Sequence, residues 1–276
     1  MKVKYVCFEI SGNCNMFCKF CFSNWRLNTK QMSTEKAKHI ISSLVEHGLE
    51  VINLTGGDPL LRDDIVEICK FAKEKGLKII ISTNGILLPQ KQEILNYIDF
   101  ISLPLDCSEP KMHNEMRPCA LKDHHAHVLH LIDFISQNYP AVKIKINTMV
   151  GKKNINDVLK IGEIINGKVY RWKVGKFFAS GSGKSFDKEF SISDSEFNGV
   201  VEKINKKYKE LTLVEEDFNF KESFIFIDSL GCINKRQPNG EIVNCGEIEN
   251  LDKVEDINDF GFHYDKFYKE GEKKWK

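Results

Sequence analysis

The stretch from residue 5 to residue 21, YVCFEISGNCNMFCKFC, decides how the rest of this 276-residue sequence is interpreted. It opens with a strand-like run, and the loop that follows holds Cys14, Cys18 and Cys21 at the spacing CxxxCxxC, with Phe20 before the last of them. Thiolates bind zinc and iron–sulfur clusters, and four of them would complete a closed site. Since only three lie together here, a cubane cluster held by them would leave one iron open to a small chelating ligand. A zinc knuckle and three unrelated thiols are the alternatives.

A second motif follows one predicted helix and one predicted strand later. Residues 51–54 form a short apolar run typical of a buried strand, and residues 55–59 read TGGDP. Glycines at the end of a strand allow close approach to the backbone, and an acidic side chain there can hold an ammonium group. A sequence of this kind is usually only a turn, but its position after the cysteine loop indicates a ligand site.

Together the two motifs resemble those of the radical S-adenosylmethionine (SAM) enzymes, in which the second segment reads GGEP. The resemblance implies a [4Fe–4S] cluster on the three cysteines, with SAM bound at its open iron. It places the amino group of SAM at Gly56, Gly57 and Asp58, and its carboxylate at Arg117. The other SAM-site residues implied by the resemblance are Phe20, Ser82, Asn84, Asp106 and Asn147.

The composition is that of one enzyme without a strong global charge. With 42% hydrophobic residues, the chain can bury a full core as one large domain or as a domain with an appendage. Its net charge is +1, from 40 basic and 39 acidic residues, so we expect neither a nucleic-acid nor a membrane partner. We find no run of 18 apolar residues and expect no signal peptide. Nine cysteines exclude a fully paired disulfide set, and a cluster needs a reducing compartment, so we expect a cytoplasmic protein.

Strands and helices alternate along the first 180 residues. The predicted strands cover residues 5–10, 51–54, 79–83, 100–105, 143–150 and 170–177. Six strand–helix repeats predict a parallel sheet covered by helices, as a doubly wound sheet or an open barrel. The radical SAM resemblance selects a partial (βα)6 barrel over residues 1–180. Residues 181–276 are then an α+β extension that closes the active site, with a predicted hairpin turn at residues 238–240.

The alternation of side chains within the strands predicts which face points inward. In residues 143–150, Lys145 and Asn147 lie on the face opposite the apolar side chains that should contact helices. Five strands show the same inversion, which predicts a polar lumen with the active site at the carboxyl ends of the strands. The other polar side chains assigned to this lumen are Cys7, Glu9, Asn53, Ser102, Asp106, Arg171 and Lys173.

Two further groups of side chains that could bind a metal are interpreted as structural. Cys232 and Cys245 are similar to the start of the cysteine-rich extension of peptide-modifying radical SAM enzymes. Because the further cysteines of that module are missing, we expect a single cluster. The histidines of the helix predicted before the fifth strand are spread around it, and we expect a solvated face rather than a metal site. These are His124, His125, His127 and His130.

Within the radical SAM enzymes, residues 145–147 and 171–174 resemble the viperins, which dehydrate nucleoside triphosphates. Several departures lie where the substrate should bind. Val51 stands in place of a phosphate-binding lysine, Cys7 and Glu9 replace an asparagine and a histidine, and Phe224 replaces a tyrosine. A lost cation and a gained carboxylate both weigh against a triphosphate.

A carboxylate suits the N–H edge of a guanine-type base, which favours the viperin-like queuine lyases that split this 7-deazaguanine base. On this interpretation Glu9, Lys145 and Lys173 are catalytic, and the same residues bind substrate together with Asn53, Arg171 and Phe224. The alternatives are a viperin-like nucleoside triphosphate dehydratase, a peptide-modifying radical SAM enzyme and a non-catalytic iron–sulfur or zinc protein. The family resemblance implies reductive cleavage of SAM to a 5′-deoxyadenosyl radical, with a flavodoxin- or ferredoxin-type electron donor.

Overall fold

A computed structural model of the chain describes residues 5–21, 31–215, 225–236 and 242–247. Within these residues, ten strands form one sheet. They are β1 (Tyr5–Ser11), β2 (Val51–Gly56), β3 (Lys78–Ser82), β4 (Phe100–Pro104), β5 (Lys143–Val150), β6 (Arg171–Lys176), β7 (Thr212–Glu215), β8 (Ile225–Ile227), β9 (Cys232–Arg236) and β10 (Ile242–Glu247). The α-helices are α1 (Thr34–Glu46), α2 (Ile65–Glu74), α3 (Pro110–Met116), α4 (His124–Asn138), α5 (Val158–Ile165), α6 (Asp187–Phe190) and α7 (Asp194–Tyr208).

The sheet confirms the partial barrel. Its strand order is β10-β9-β8-β1-β2-β3-β4-β5-β6-β7, so the first six strands lie side by side in chain order. Each neighbouring pair from β1 to β6 is parallel. Strands β7 and β8 add parallel neighbours to β6 and β1, and β8, β9 and β10 continue antiparallel. The chain after residue 181 therefore extends the same sheet at both edges.

Helix α1 illustrates how local sequence sets an element's bounds. The Ser33 side chain caps the first turn by accepting a hydrogen bond from the Lys36 N–H, and Gly48 takes φ = 88° just past the end. One face of the helix is fully buried and consists of Ala37, Ile40, Ile41 and Leu44. Burying a large aliphatic side chain is worth about 1.5–3 kcal/mol, so this face holds the helix against the sheet.

The connection between β3 and β4 differs from the predicted repeat. Two 3-10 turns, Leu88–Gln90 and Gln92–Asn96, stand where the sixfold repeat predicts an α-helix. Gly85 takes φ = 82° and Pro89 lies within the first turn. The connection between Ser82 and Phe100 therefore contains 3-10 turns and no α-helix.

An apolar cluster closes the amino-terminal end of the barrel. It consists of Val51, Ile80 and Phe100, with Tyr5 and Tyr170 packed against it. Val51, the position where viperins carry a lysine, is therefore part of a hydrocarbon floor beneath the lumen. No helix in the described part of the chain is both long and apolar enough to cross a membrane.

Candidate active site

The cysteine loop is seated directly on the Gly-Gly segment that ends β2. The Gly57 N–H donates to the Ser11 carbonyl at 2.8 Å, and the Asp58 N–H donates to the Asn13 carbonyl at 2.7 Å. A Cβ at Gly56 would lie 2.0 Å from the Ser11 oxygen, and one at Gly57 would lie 2.0 Å from the Asn13 oxygen. Backbone of the cysteine loop, rather than a ligand, thus fills the space that these glycines leave.

Cys14, Cys18 and Cys21 all line one cavity of about 340 Å³ inside the barrel. Burial raises the pKa of Cys14 to about 11 and that of Cys18 to about 12. These thiols are protonated near neutral pH, so a cluster that binds them must displace protons. Among the described residues, no three His, Cys, Asp or Glu side chains converge on a point suited to a single metal ion. A cubane is held differently, because each thiolate binds its own iron atom.

Two polar side chains reach the cysteine thiols. The Arg117 Nη1 lies 3.5 Å from the Cys18 sulfur, and the Asn84 Nδ2 lies 3.9 Å from the Cys14 sulfur. The Arg117 guanidinium also lies over the Phe20 ring, 4.8 Å from its centroid. Donors of this kind stabilise the negative charge of a thiolate-bound cluster, so the surroundings of the cysteines suit the predicted group.

Asp58 lies behind the cavity wall, which differs from its predicted contact with the SAM amino group. Its carboxylate is 1% exposed and accepts hydrogen bonds from the Leu60 N–H at 2.9 Å, the Thr83 hydroxyl at 2.8 Å and the Asn84 N–H at 2.7 Å. Burial raises its pKa to about 6, although these hydrogen bonds favour the charged form. In this geometry the side chain ties the end of β2 to the end of β3, and Gly57 lines the cavity in its place.

Asp106 is likewise fully buried and does not line the cavity, whereas the sequence predicts it at the SAM site and in the lumen. One carboxylate oxygen accepts from the Met149 N–H at 2.9 Å and the other pairs with the Arg117 Nε. Burial by itself would lower the Arg117 pKa, but the charge of Asp106, with that of Cys18 once it is a thiolate, outweighs burial and the pKa is raised. Asp106 therefore holds Arg117, which does line the cavity.

Arg171 also departs from its predicted place in the substrate pocket. It is the first residue of β6, and its guanidinium lies 5.2 Å from the centroid of the Tyr170 ring beside the apolar floor. The strand alternation assigns the face correctly but not the height along the strand. Phe224 lies outside the described residues, and Phe226, two residues further on, lines the cavity.

The remaining predicted residues meet on the cavity wall. They are Glu9, Phe20, Asn53, Ser82, Asn84, Lys145, Asn147 and Lys173. Sequence reasoning did not assign Met149, Phe177 or Asn234, which also line it. Phe177 directly follows β6, and Asn234 lies in β9. Both reach the lumen only because the complete sheet brings these strands beside it, which no local sequence pattern shows.

Comparison with known proteins decides the family. The model of the radical SAM superfamily matches residues 8–164, which is more than half of the chain. The chain belongs to the radical SAM superfamily. As in the rest of that superfamily, its cofactors are a [4Fe–4S] cluster and SAM.

Individual relatives add detail to this assignment. The chain is 29% identical, over 98% of its length and 95% of the relative's, to an S-adenosylmethionine-dependent nucleotide dehydratase of Flammeovirga pacifica. It is 30% identical to an AdoMet-dependent heme synthase of Methanosarcina barkeri, over 58% of this chain and 46% of that one. Among solved structures, Streptococcus suis SuiB bound to its precursor peptide SuiA matches 95% of this chain and 67% of its own, with a TM-score of 0.77 and 16% identity. The last similarity shows the fold alone.

Two orphaned polar atoms support a bound ligand in this radical SAM cavity. The Asn147 Oδ1 and the Ser102 Oγ are buried without a hydrogen-bond partner among the described residues. A buried polar atom left unsatisfied costs about 1–3 kcal/mol, so a polar ligand that fills the lumen would recover this cost. Nearby, the Ser82 hydroxyl donates to the Asn53 Oδ1 at 2.8 Å, so the polar wall is already partly ordered.

The histidines of α4 in this radical SAM protein do not form the predicted solvated face. His124 is fully buried and His125 is 4% exposed, whereas His130 is exposed. The Nδ1 of His124 lies 2.9 Å from the Nε2 of His113 in α3. Nothing in the sequence near α4 indicates this contact, because it depends on how α3 packs against α4.

Proposed function

We propose that this radical SAM enzyme acts on a nucleotide and removes water from it. The observation that carries the proposal is the pair of lysines, Lys145 and Lys173, on the wall of the same cavity as the three cluster cysteines. Asn147 lies beside Lys173 and Lys145 beside Arg171 in the β5–β6 register, so the two lysines stand diagonally on neighbouring strands. Cations at this spacing suit the oxygens of a phosphorylated substrate. The name of the Flammeovirga pacifica relative, which aligns over nearly the whole chain, supports the same class.

The two lysines on the wall have distinct roles in the proposed reaction. The cluster and SAM, when bound, supply the one-electron chemistry that takes a hydrogen atom from a substrate carbon. Lys145 and Lys173 bind the anionic part of the substrate and hold the reacting carbon still. A hydroxyl on the neighbouring carbon departs as water after accepting a proton from a lysine Nζ–H. One electron from the donor protein then completes the loss of water.

The queuine lyase is the second candidate, and Glu9 is the observation that favours it. Its side chain lines the cavity and the residue is 3% exposed. A carboxylate held there can accept two hydrogen bonds from the N–H edge of a deazaguanine base. The names of the relatives favour dehydration of a nucleotide, so we place this reading second.

Turnover distinguishes the two candidates. Anaerobically reconstituted, reduced enzyme is incubated with SAM and either a panel of nucleoside triphosphates or queuine. We expect 5′-deoxyadenosine to exceed the substrate-free background only with a triphosphate, together with a product that is 18 mass units lighter. Stimulation by queuine alone would reject the dehydratase in favour of the lyase.

A further inference from the structure

A chain of hydrogen bonds joins the end of β4 to the end of β3 through two buried histidines. The Asp106 N–H donates to the Nδ1 of His113 at 3.2 Å. The Nε2 of His113 lies 2.9 Å from the Nδ1 of His124, and the Nε2 of His124 lies 2.9 Å from the Asn84 carbonyl oxygen. The two imidazole planes are 8° from parallel, and both side chains are 0% exposed.

The two ends of this chain fix the tautomer of both rings. Because the His113 Nδ1 accepts from a backbone N–H, its proton lies on Nε2, from which it is donated to His124. The His124 Nδ1 therefore accepts, and its Nε2–H donates to the carbonyl of Asn84. Both rings are neutral, and every bond runs in the same direction. A chain that ends on a carbonyl oxygen cannot pass a proton onward, so it acts as a brace.

The braced residues are those that reach the cluster cysteines. Asn84 lines the cavity and its Nδ2 lies 3.9 Å from the Cys14 sulfur. Asp106 holds Arg117, whose Nη1 lies 3.5 Å from the Cys18 sulfur. His113 is also tied to Arg117 through the backbone, because its carbonyl accepts the Arg117 N–H at 3.0 Å. The two histidines thus link one donor beside Cys14 to another beside Cys18.

We propose that His113 and His124 are positioning residues for SAM binding. They hold Asn84 and Arg117 at the spacing that lets both contact SAM while it is bound to the cluster. This inference rests on the expected SAM contacts of Asn84 and Arg117 and on membership of the radical SAM superfamily. It does not depend on which substrate is used, because SAM binding can be measured with no substrate present.

The main test replaces His124 by phenylalanine, which preserves the ring and removes both hydrogen bonds. SAM affinity is measured by titrating the reduced, cluster-loaded enzyme and following the change in the electron paramagnetic resonance signal of the cluster. We expect His124→Phe to bind SAM roughly tenfold more weakly than wild type, with unchanged iron content. Tenfold is the lower end of the loss seen when a residue that orients a ligand-binding group is removed.

His125→Phe is the matched control. His125 is a neighbouring buried histidine in the same helix, and its ring packs edge-on against His113 at 5.5 Å, outside the chain of bonds described above. We expect it to bind SAM within about threefold of wild type. Wild-type affinity in His124→Phe, or an equal loss in His125→Phe, would overturn the proposal.

A second pair of variants decides the matter if His124→Phe does not yield folded protein. The amide nitrogen of His124→Gln can reach the place of Nε2 and donate to the Asn84 carbonyl, whereas the side chain of His124→Asn is too short to do so. We expect the glutamine variant to bind SAM within about threefold of wild type and the asparagine variant roughly tenfold more weakly. Equal affinities for the two would reject a positioning role, whether or not nucleotide turnover has been observed.

Discussion

The guanidinium of Arg117 connects a buried carboxylate to a cluster cysteine: its Nε pairs with Asp106, and its Nη1 lies 3.5 Å from the Cys18 sulfur. The same cation therefore neutralises a fully buried charge and faces the place where the cluster and the SAM carboxylate should meet. Removing it should affect two measurable properties, stability and SAM affinity, and these can be separated.

Arg117→Ala should destabilise the protein by about 3 kcal/mol, because it leaves the Asp106 carboxylate buried without its partner. It should also weaken SAM binding by roughly ten- to a hundredfold. Adding Asp106→Asn removes the unpaired charge and should restore most of the stability but none of the affinity. Thermal unfolding and SAM titration measure the two effects. If the double variant regained SAM binding, Arg117 would act only through Asp106.

Gly57→Ala should displace the cysteine loop, because the new Cβ would lie 2.0 Å from the backbone oxygen of Asn13. We expect less than half of the wild-type iron per chain after anaerobic reconstitution. Gly199→Ala in α7 is the matched control, since a Cβ there meets nothing within 4 Å and should stabilise the helix by about 0.5–1 kcal/mol. Normal iron content in Gly57→Ala would mean that the loop binds the cluster without this contact.

Cluster binding should require Cys14, Cys18 and Cys21 and no other cysteine. Serine at any of the three should abolish the iron–sulfur absorbance. Among the described residues, the other cysteine that lines the cavity is Cys7, which lies in β1 rather than in the cysteine loop, so we expect it not to replace a lost thiolate. Cys232→Ala and Cys245→Ala should keep the full iron content. Iron and sulfide analysis would contradict the single-cluster prediction if either alanine variant lost half of its iron.

The two buried histidines should make stability depend on pH. Burial lowers the pKa of His113 to about 2 and that of His124 to about 4, against about 6.5 in the unfolded chain. Both stay neutral in the folded state while the unfolded state takes up protons below pH 6.5. Their contribution is therefore complete above pH 6.5 and falls as the pH drops, by about 1.4 kcal/mol per unit for each histidine.

His124→Phe should accordingly show a smaller loss of stability than wild type between pH 7.5 and pH 5.5. Thermal unfolding at both values checks this. Asp58 acts in the opposite direction between about pH 4 and 6, because its raised pKa makes the folded state bind a proton more tightly. It is present in both proteins, so the comparison isolates the histidine. Parallel pH profiles would show that His124 titrates alike in the folded and unfolded states.

Substitutions on the cavity wall should distinguish a triphosphate from a base as substrate. For a nucleoside triphosphate, Lys173→Gln should raise KM at least tenfold with a weaker salt dependence, while Glu9→Gln should have little effect. For queuine, Glu9→Gln should abolish turnover, since it sets a donor against a donor. Lys168→Gln is the control, because that lysine pairs with Asp133 on the surface. SAM binding should remain normal in all three variants.

Sequence periodicity predicts those parts of the fold that depend on local burial. The alternation in residues 143–150 correctly places Lys145 and Asn147 on the cavity wall, since successive side chains of a strand point to opposite faces. Alternation carries no information about height along the barrel, which is why Arg171 is assigned to the lumen but lies beside the floor.

Contacts between distant segments explain the other differences. The carboxylate of Asp58 turns away from the cavity because Thr83 and Asn84, 25 and 26 residues later, supply its donors. His113 and His124 meet because two helices pack together, and neither helix shows this in its own sequence. In both cases the deciding partner comes from another strand end or helix, so no local pattern reports it.

The floor formed by Val51, Ile80 and Phe100 also limits how a ligand can lie in the barrel. An anionic group brings a hydration shell, and hydrocarbon or an aromatic face cannot replace those hydrogen bonds. Polar groups in the deepest part of any ligand must therefore form their hydrogen bonds with side chains that project inward from the surrounding strands. Replacing Val51 by a cationic residue would allow the floor to bind an anionic group. One position on β2 can therefore determine how deep in the barrel a ligand binds.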